Sequence, residues 1–380
     1  MKTFVCPRCG NSNPKYFGYI NGKAYCRFCI SMNGEKAKEH IYSGATAELK
    51  LDYQLSKEQK EISERVIFNY KRGFDTLINA VCGAGKTELV YGVIEYALKR
   101  KQAVAFAIPR RDVAKELFLR IKDAFPNNKV VAVYGGHTSS LEGDIVVLTT
   151  HQLYRYDHYF NLIILDEIDA FPYNGNELLN AMFIKAQKGN VVMLSATPSN
   201  EVVERFKTGK REILELNTRF HHHPLPVPIL VVRVWFTKFI YLYKKLKSFL
   251  KEKKPVFVFT PTIEMAEDLY KKLKLFIKSI NVVHSRSPKR AEIIENFRKN
   301  KFLILITTAV LERGVTIKNL QVIIFNADHE LYNEYNLVQI AGRVGRKFDA
   351  PNGEVIFLAD KKSSSMLKAR ETIISKNRYL

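Results

Sequence analysis

No apolar run in this sequence approaches the roughly 18 residues that span a bilayer. The opening MKTFVCPRCG has no apolar core of a secretory signal before its first cysteines. These absences set aside the membrane-spanning and secreted classes and lead us to expect a cytoplasmic protein with no transmembrane segment. Low-complexity tracts are missing, and no sequence repeat is evident. Acidic residues are in short supply: 38 Asp and Glu against 60 Lys and Arg, a formal net charge of +22. An excess of this size marks a polyanionic partner, nucleic acid first and an anionic membrane surface second. Cysteine is also scarce, five in 380 residues, yet four fall in two tight pairs. In a reducing compartment that pattern reads as metal ligation rather than disulfides.

Beyond the first forty residues the chain alternates apolar strand-like runs with helical patterns. DTLINAV, QAVAFAIP, VVAVYGG, DIVVLTT, NLIILDE and NVVMLSATP read as strands, separated by helical stretches such as DVAKELFLRIKDAF and NELLNAMFIKAQKG. Such alternation gives an α/β fold with mostly parallel sheets flanked by helices. The proline-rich FHHHPLPVP, residues 220–228, breaks the pattern and reads as a linker. His221, His222 and His223 lie in it with no Cys or carboxylate cluster beside them. The alternation then restarts with PVFVFTPT, INVVHS, FLILITTA, QVIIFNA and GEVIFLA.

NAVCGAGKTE, residues 79–88, joins the first strand to a helix, the context of a phosphate-binding loop. Gly83, Ala84 and Gly85 offer backbone N–H groups, Lys86 reaches terminal phosphates, and the Thr87 hydroxyl suits Mg2+. Ala80 stands where the general pattern has its first Gly, and Cys82 lies inside the loop. Asp166 and Glu167 end the apolar run NLIILDE. A carboxylate pair at a strand's carboxyl end suits a hydrated metal (Asp166) and an attacking water (Glu167). Asp169 follows in the same run. Gln59 can hydrogen-bond an adenine edge, but Ser56-x-x-Gln59 also spells a capping box that needs no ligand, and both readings stand.

The ordered series GAGKT (83–87), PRRD (109–112), TTHQ (149–152), DEID (166–169), SAT (195–197), TTAVLERGVT (307–316) and QIAGRVGR (339–346) resembles the superfamily 2 helicases and translocases. That resemblance implies two tandem RecA-like domains with ATP between them. It implies that Arg343 and Arg346 act on the γ-phosphate, that Ser195, Thr197 and Gln339 couple ATP to the track, and that Gly314 lies near the ribose. Thr316 stands where many relatives carry Asp. Arg110, Thr150, His151, Gln152, Thr260 and Thr308 match positions that grip the nucleic-acid backbone; their polar groups suit phosphates without reading sequence.

Cys6, Cys9, Cys26 and Cys29 are spaced C-x2-C-x16-C-x2-C. That spacing fits a closed tetrahedral Zn2+ site with a structural role, the loop around YINGKAY forming a hairpin. Phe4, Tyr16, Phe17, Tyr19, Tyr25 and Phe28 with Lys15, Lys23 and Arg27 suit both a small core and single strands. A four-cysteine module before this core, with AVCGAGKTE and DEIDAFP, resembles the ComFA family of late-competence ATPases. The expected domains are a zinc module (1–48), an ATP-binding RecA-like domain (49–220) and a second RecA-like domain (221–380). The resemblance implies an ATPase stimulated by single-stranded DNA, a translocase or helicase in DNA uptake during transformation. The named alternatives are a primosomal-type restart or RNA helicase, and an ATP-gated DNA clamp. Implied partners are ComFC, DprA, the membrane DNA channel and further copies of the chain. The protein is then cytoplasmic, with peripheral association at the inner membrane face.

Overall fold

The structure is a computed structural model and describes residues 4–30, 32, 34–81, 83–138, 140–168, 176–219, 223–308 and 316–378. The chain divides into two compact units, Met1–Ala80 with Gly85–Leu216, and Val81–Ala84 with Asn217–Leu380.

The first unit begins with the antiparallel hairpin of β1 (Phe17–Ile20) and β2 (Lys23–Cys26). Asn21 and Gly22 both have positive φ, 48° and 74°, the backbone a two-residue hairpin turn demands. A strap without helix or strand follows and is pinned along the unit. The N–H of Ala37 donates to Arg155 O, that of Ser43 to Asp144 Oδ1, and that of Lys50 to Ala124 O, each at 2.9 Å. Then come α1 (Lys57–Lys71), β3 (Asp75–Ala80), α2 (Lys86–Leu89), α3 (Tyr91–Lys99), β4 (Val104–Ile108), α4 (Arg111–Ala124), β5 (Val130–Tyr134), β6 (His137–Thr138) and β7 (Ile145–Thr149). A 3-10 turn at Thr150–Arg155 leads to β8 (Phe160–Asp166), α5 (Glu177–Ala186), β9 (Gln187–Ser195), α6 (Asn200–Phe206) and β10 (Arg211–Leu216).

The eight strands lie in the order β10-β3-β9-β8-β4-β7-β5-β6, all parallel except β6. Strands β4 and β7 are buried along their whole length, as the near-continuous apolar runs of a doubly covered parallel sheet require.

In the second unit, β11 (Ile229–Val232), α7 (Trp235–Lys251), β12 (Val256–Phe259), α8 (Ile263–Lys274), β13 (Ile280–Val283), α9 (Arg290–Arg298) and β14 (Ile304–Thr307) precede β15 (Gln321–Phe325), α10 (Glu334–Ala341), β16 (Val355–Ala359) and α11 (Ser364–Asn377). Its sheet is wholly parallel, in the order β11-β16-β15-β12-β14-β13. Within the proline-rich segment, Leu225 exchanges two hydrogen bonds with the Asn377 side chain, at 2.8 and 2.9 Å, which fastens it to α11.

One helical stretch is shorter than its sequence pattern. The run NELLNAMFIKAQKG stops being helical at Ala186, and Gln187–Gly189 already belong to β9. Gly189 there meets Asn161 so closely that a Cβ would lie 2.2 Å from its carbonyl oxygen, beside an irregularity in the β8–β9 pairing. Tertiary backbone contact overrides the local periodicity.

Candidate active site and metal centre

Five neighbouring parallel strands of the first unit deliver the sequence-predicted residues from their carboxyl ends. Strand β3 leads into the phosphate loop, β9 ends at Ser195, and β8 ends at Asp166. Strand β4 runs out toward Arg110, and β7 into Thr150, His151 and Gln152. Register holds them level: Asn79 pairs with Ser195, Asp166 with Leu194, and Ile108 with Thr149. In a parallel α/β sheet this edge is where ligands bind.

At the loop, Gly83 and Gly85 take φ of 87° and 76°, and Gly85 is the N-cap of α2. The Ala84 N–H donates to Val81 O at 3.1 Å. Lys86 Nζ donates to Ala80 O at 3.2 Å, which folds the side chain back over its own loop. Thr87 is buried on the first turn of α2. Gln59 forms the full capping box: its N–H donates to Ser56 Oγ at 3.2 Å, and its Oε1 accepts from the Ser56 N–H at 2.9 Å. Its Nε2 faces the loop, 2.6 Å from where a Gly85 Cβ would stand. Capping and loop contact coexist in this one side chain.

The Glu167 N–H donates to Asp166 Oδ1 at 2.7 Å, and Glu167 adopts φ of 57°. A non-glycine residue in that region costs about 1–2 kcal/mol. The turn ends the strand at Asp166 and places the two carboxylate residues in succession at its carboxyl end. Ser195 Oγ accepts from the Thr197 N–H at 3.0 Å, closing the SAT turn. Oxygen donors from Thr87 and Asp166 are of the hard type that magnesium takes. Asp169, Cys82 and Gly314 lie outside the described residues.

Among the nucleic-acid candidates, Arg110 and His151 are half-buried, whereas Thr150 is fully buried, its Oγ1 without a hydrogen-bond partner among the described residues. Burial holds the His151 imidazole below its ordinary pKa, so the ring is neutral at pH 7. Gln152 also has a buried Oε1 without a partner. In the second unit, Thr260 and Thr308 follow β12 and β14, and both are buried. The Thr260 N–H donates to Thr307 O at 2.8 Å, and its hydroxyl to Thr262 O at 3.2 Å. Gln339 is buried on α10, and Arg343 and Arg346 lie in the turn after it. Arg343 is buried, and Arg346 Nε donates to Gly342 O at 2.9 Å.

The four cysteines converge, with all four sulfurs within 4.8 Å of one another. Cys6 and Cys29 Sγ lie 3.5 Å apart, and Cys9 and Cys26 Sγ 3.8 Å. A tetrahedron with Zn–S bonds of about 2.3 Å puts sulfurs about 3.8 Å apart, so the set fits zinc. As free thiols, burial pushes Cys9 up and Cys29 up to about 11. At Cys26, burial is outweighed by N–H donors of Cys29, Phe28 and Asn11, and the thiol falls to about 7. Tyr16 and Phe28 pack edge-to-face beside the site, while Tyr19 stays exposed with Lys15, Lys23 and Arg27. The module is part of the first unit's core, its cysteines clustering with Tyr154 of the 3-10 turn and Phe183 of α5. Asn13 Nδ2 donates to Glu177 Oε2 at 2.9 Å, across the same face.

Two features escaped the sequence reading. Glu88, one residue past Thr87, pairs with Arg120 of α4 and accepts from the Tyr53 hydroxyl at 3.3 Å. Arg219 is wholly buried against the GRVGR turn. Glu88 closes the NAVCGAGKTE motif but has no assigned place in the phosphate-loop pattern, and Arg219 belongs to no short motif, so spacing gave no signal for either contact.

Residues 52–200 match the family model "Type III restriction enzyme, res subunit", and 237–348 match "Helicase conserved C-terminal domain". Yeast Dbp5 bound to RNA and ADP BeF3 superposes with a TM-score of 0.63 at 18% identity, over 86% of this chain and 92% of that one. RecG bound to a three-way DNA junction gives 0.63 at 19%, over 87% and 48%. These likenesses identify two RecA-like folds. Competence protein ComFA of Bacillus subtilis (strain 168) is 34% identical, over 99% of this chain and 86% of its own length. ComFA of Streptococcus pneumoniae (strain ATCC BAA-255 / R6) is 33% identical, over 98% and 90%. With an ordered set of superfamily 2 motifs on parallel strand ends and a four-cysteine module in front, the chain is an ATP-hydrolysing helicase-type enzyme and belongs to the ComFA family.

Proposed function

We propose that this protein is an ATPase driven by single-stranded DNA that moves along the strand and serves uptake of transforming DNA. The observation that carries the reading is the likeness to two competence proteins over almost the whole chain, cysteine module included. The charge of +22 and the exposed Tyr19, Lys15, Lys23 and Arg27 support a single-stranded polyanion, where bases stack and phosphates pair with cations.

Lys86 and the loop N–H groups hold the β- and γ-phosphates, with Gln59 at the adenine edge and Gly314 by the ribose. Thr87 and Asp166 would hold Mg2+, which would neutralise phosphate charge. Glu167 orients the water in line with the γ-phosphorus and draws off its proton. Arg343 and Arg346 stabilise charge on the departing phosphoryl group. Ser195, Thr197 and Gln339 pass the nucleotide state to Arg110, Thr150, His151, Gln152, Thr260 and Thr308 on the strand. Cys6, Cys9, Cys26 and Cys29 would hold Zn2+, which would supply folding energy to the module. ComFC, DprA, the DNA channel and further copies of the chain are the proposed partners, at the inner membrane face.

Displacement of streptavidin from biotin-tagged single strands tests the motor. ATP-dependent release from one end supports it. ATP turnover without release from either end rejects translocation in favour of a clamp.

A further inference from the structure

The GRVGR turn is built around a cation that is not part of its own sequence. Arg219 is 1% exposed. Its Nη1 donates to Val344 O at 3.1 Å and to Gly345 O at 2.9 Å, and Nη2 makes a longer contact to Gly342 O at 3.5 Å. Gly342 O also accepts from Arg346 Nε, so one carbonyl ties both side chains together. Gly345 is hemmed in: its φ is 68°, and a Cβ there would lie 2.0 Å from Pro351 O and 3.1 Å from Arg219 Nη1.

Burying a guanidinium costs several kcal/mol unless acceptors surround it. Here the acceptors are main-chain carbonyls at the carboxyl end of α10, where the helix dipole is negative. The planar guanidinium holds three peptide groups at once, which a lysine ammonium on a flexible stem does not reproduce. Those peptides flank Arg343 and lead into Arg346, so their orientation sets the direction in which both side chains leave the backbone. Both arginines add like charge to the same turn. Carbonyls turned toward Arg219 make that crowding tolerable.

We infer that Arg219 is a positioning residue for hydrolysis: it fixes the turn that presents Arg343 and Arg346. This rests on the reading that those two arginines stabilise the γ-phosphoryl transition state. A misplacement of about 1 Å is enough for a 100-fold rate loss. Arg219 also lies against the phosphate loop, its Nε 3.6 Å from where a Gly83 Cβ would stand; a defect that falls on kcat and not on Kd separates positioning of the turn from that loop contact.

The test measures ATPase kcat and KM, and the Kd of a fluorescent ATP analogue, in Arg219→Ala, Arg219→Lys, Arg343→Ala and Arg346→Ala. In Arg219→Ala we expect kcat down about 10- to 100-fold with Kd within about threefold, and partial recovery with added guanidinium ion. Arg219→Lys, which keeps the charge but not the fork, should be intermediate with native melting; it carries the test if the alanine variant fails to fold. The inference falls alone if Arg343→Ala and Arg346→Ala lose turnover while the folded Arg219 variants keep theirs, or raise only KM. It falls together with the arginine assignment if Arg343→Ala and Arg346→Ala both turn over normally.

Discussion

Gly85 meets two independent demands. Its φ of 76° lies in the left-handed region, and its missing Cβ leaves room for Gln59 Nε2, which the capping box holds in place. Gly85→Ala therefore strains the backbone and pushes on Gln59 together. We expect ATPase activity to fall on the order of 100-fold, as it does when a preorganised donor is lost, with the melting temperature changed by only a few degrees. Full activity in that variant would refute the loop geometry. At this scale the motif residues were legible, because phosphate chemistry demands fixed types at fixed spacing. Arg219 was not, because its role depends on carbonyls more than 120 positions along the chain. Gln59 shows a third case: its capping box was legible in the spacing and forms, while the approach of its Nε2 to Gly85 was not.

The apolar runs read as strands from sequence all form strands, while β6, β10 and β11 were missed. Strand β10 is mostly half-exposed and β11 never fully buried, as edge strands of their sheets. An edge strand needs little apolar surface, so its pattern is faint. The four-cysteine module teaches the opposite lesson about distance along the chain. It is remote in sequence from the acidic pair, yet it packs on α5, the next described helix after Asp166 and Glu167, and on the turn that carries His151 and Gln152. The zinc assignment predicts about one zinc per chain in the native protein and its loss in Cys26→Ser. That substitution should also speed hydrogen exchange in α5 and in Thr150–Arg155, because both lose packed neighbours. Retained metal, or unchanged exchange in those segments, would contradict this arrangement.

At the scale of the whole molecule, composition pointed to a polyanion, and the likeness to two competence proteins places the chain in the ComFA family. No described helix is long and apolar enough to cross a membrane. The charge of +22 predicts binding dominated by backbone phosphates, hence a steep loss of affinity with salt. The neutral His151 adds no charge to that balance. The central claim is that ATP turnover answers to single-stranded DNA. It is tested most directly by steady-state ATPase rates with single-stranded DNA, duplex DNA and RNA at two salt concentrations. The account predicts the largest stimulation by single-stranded DNA, weaker at high salt, and none in Glu167→Gln. A rate that is the same with and without every nucleic acid would contradict it.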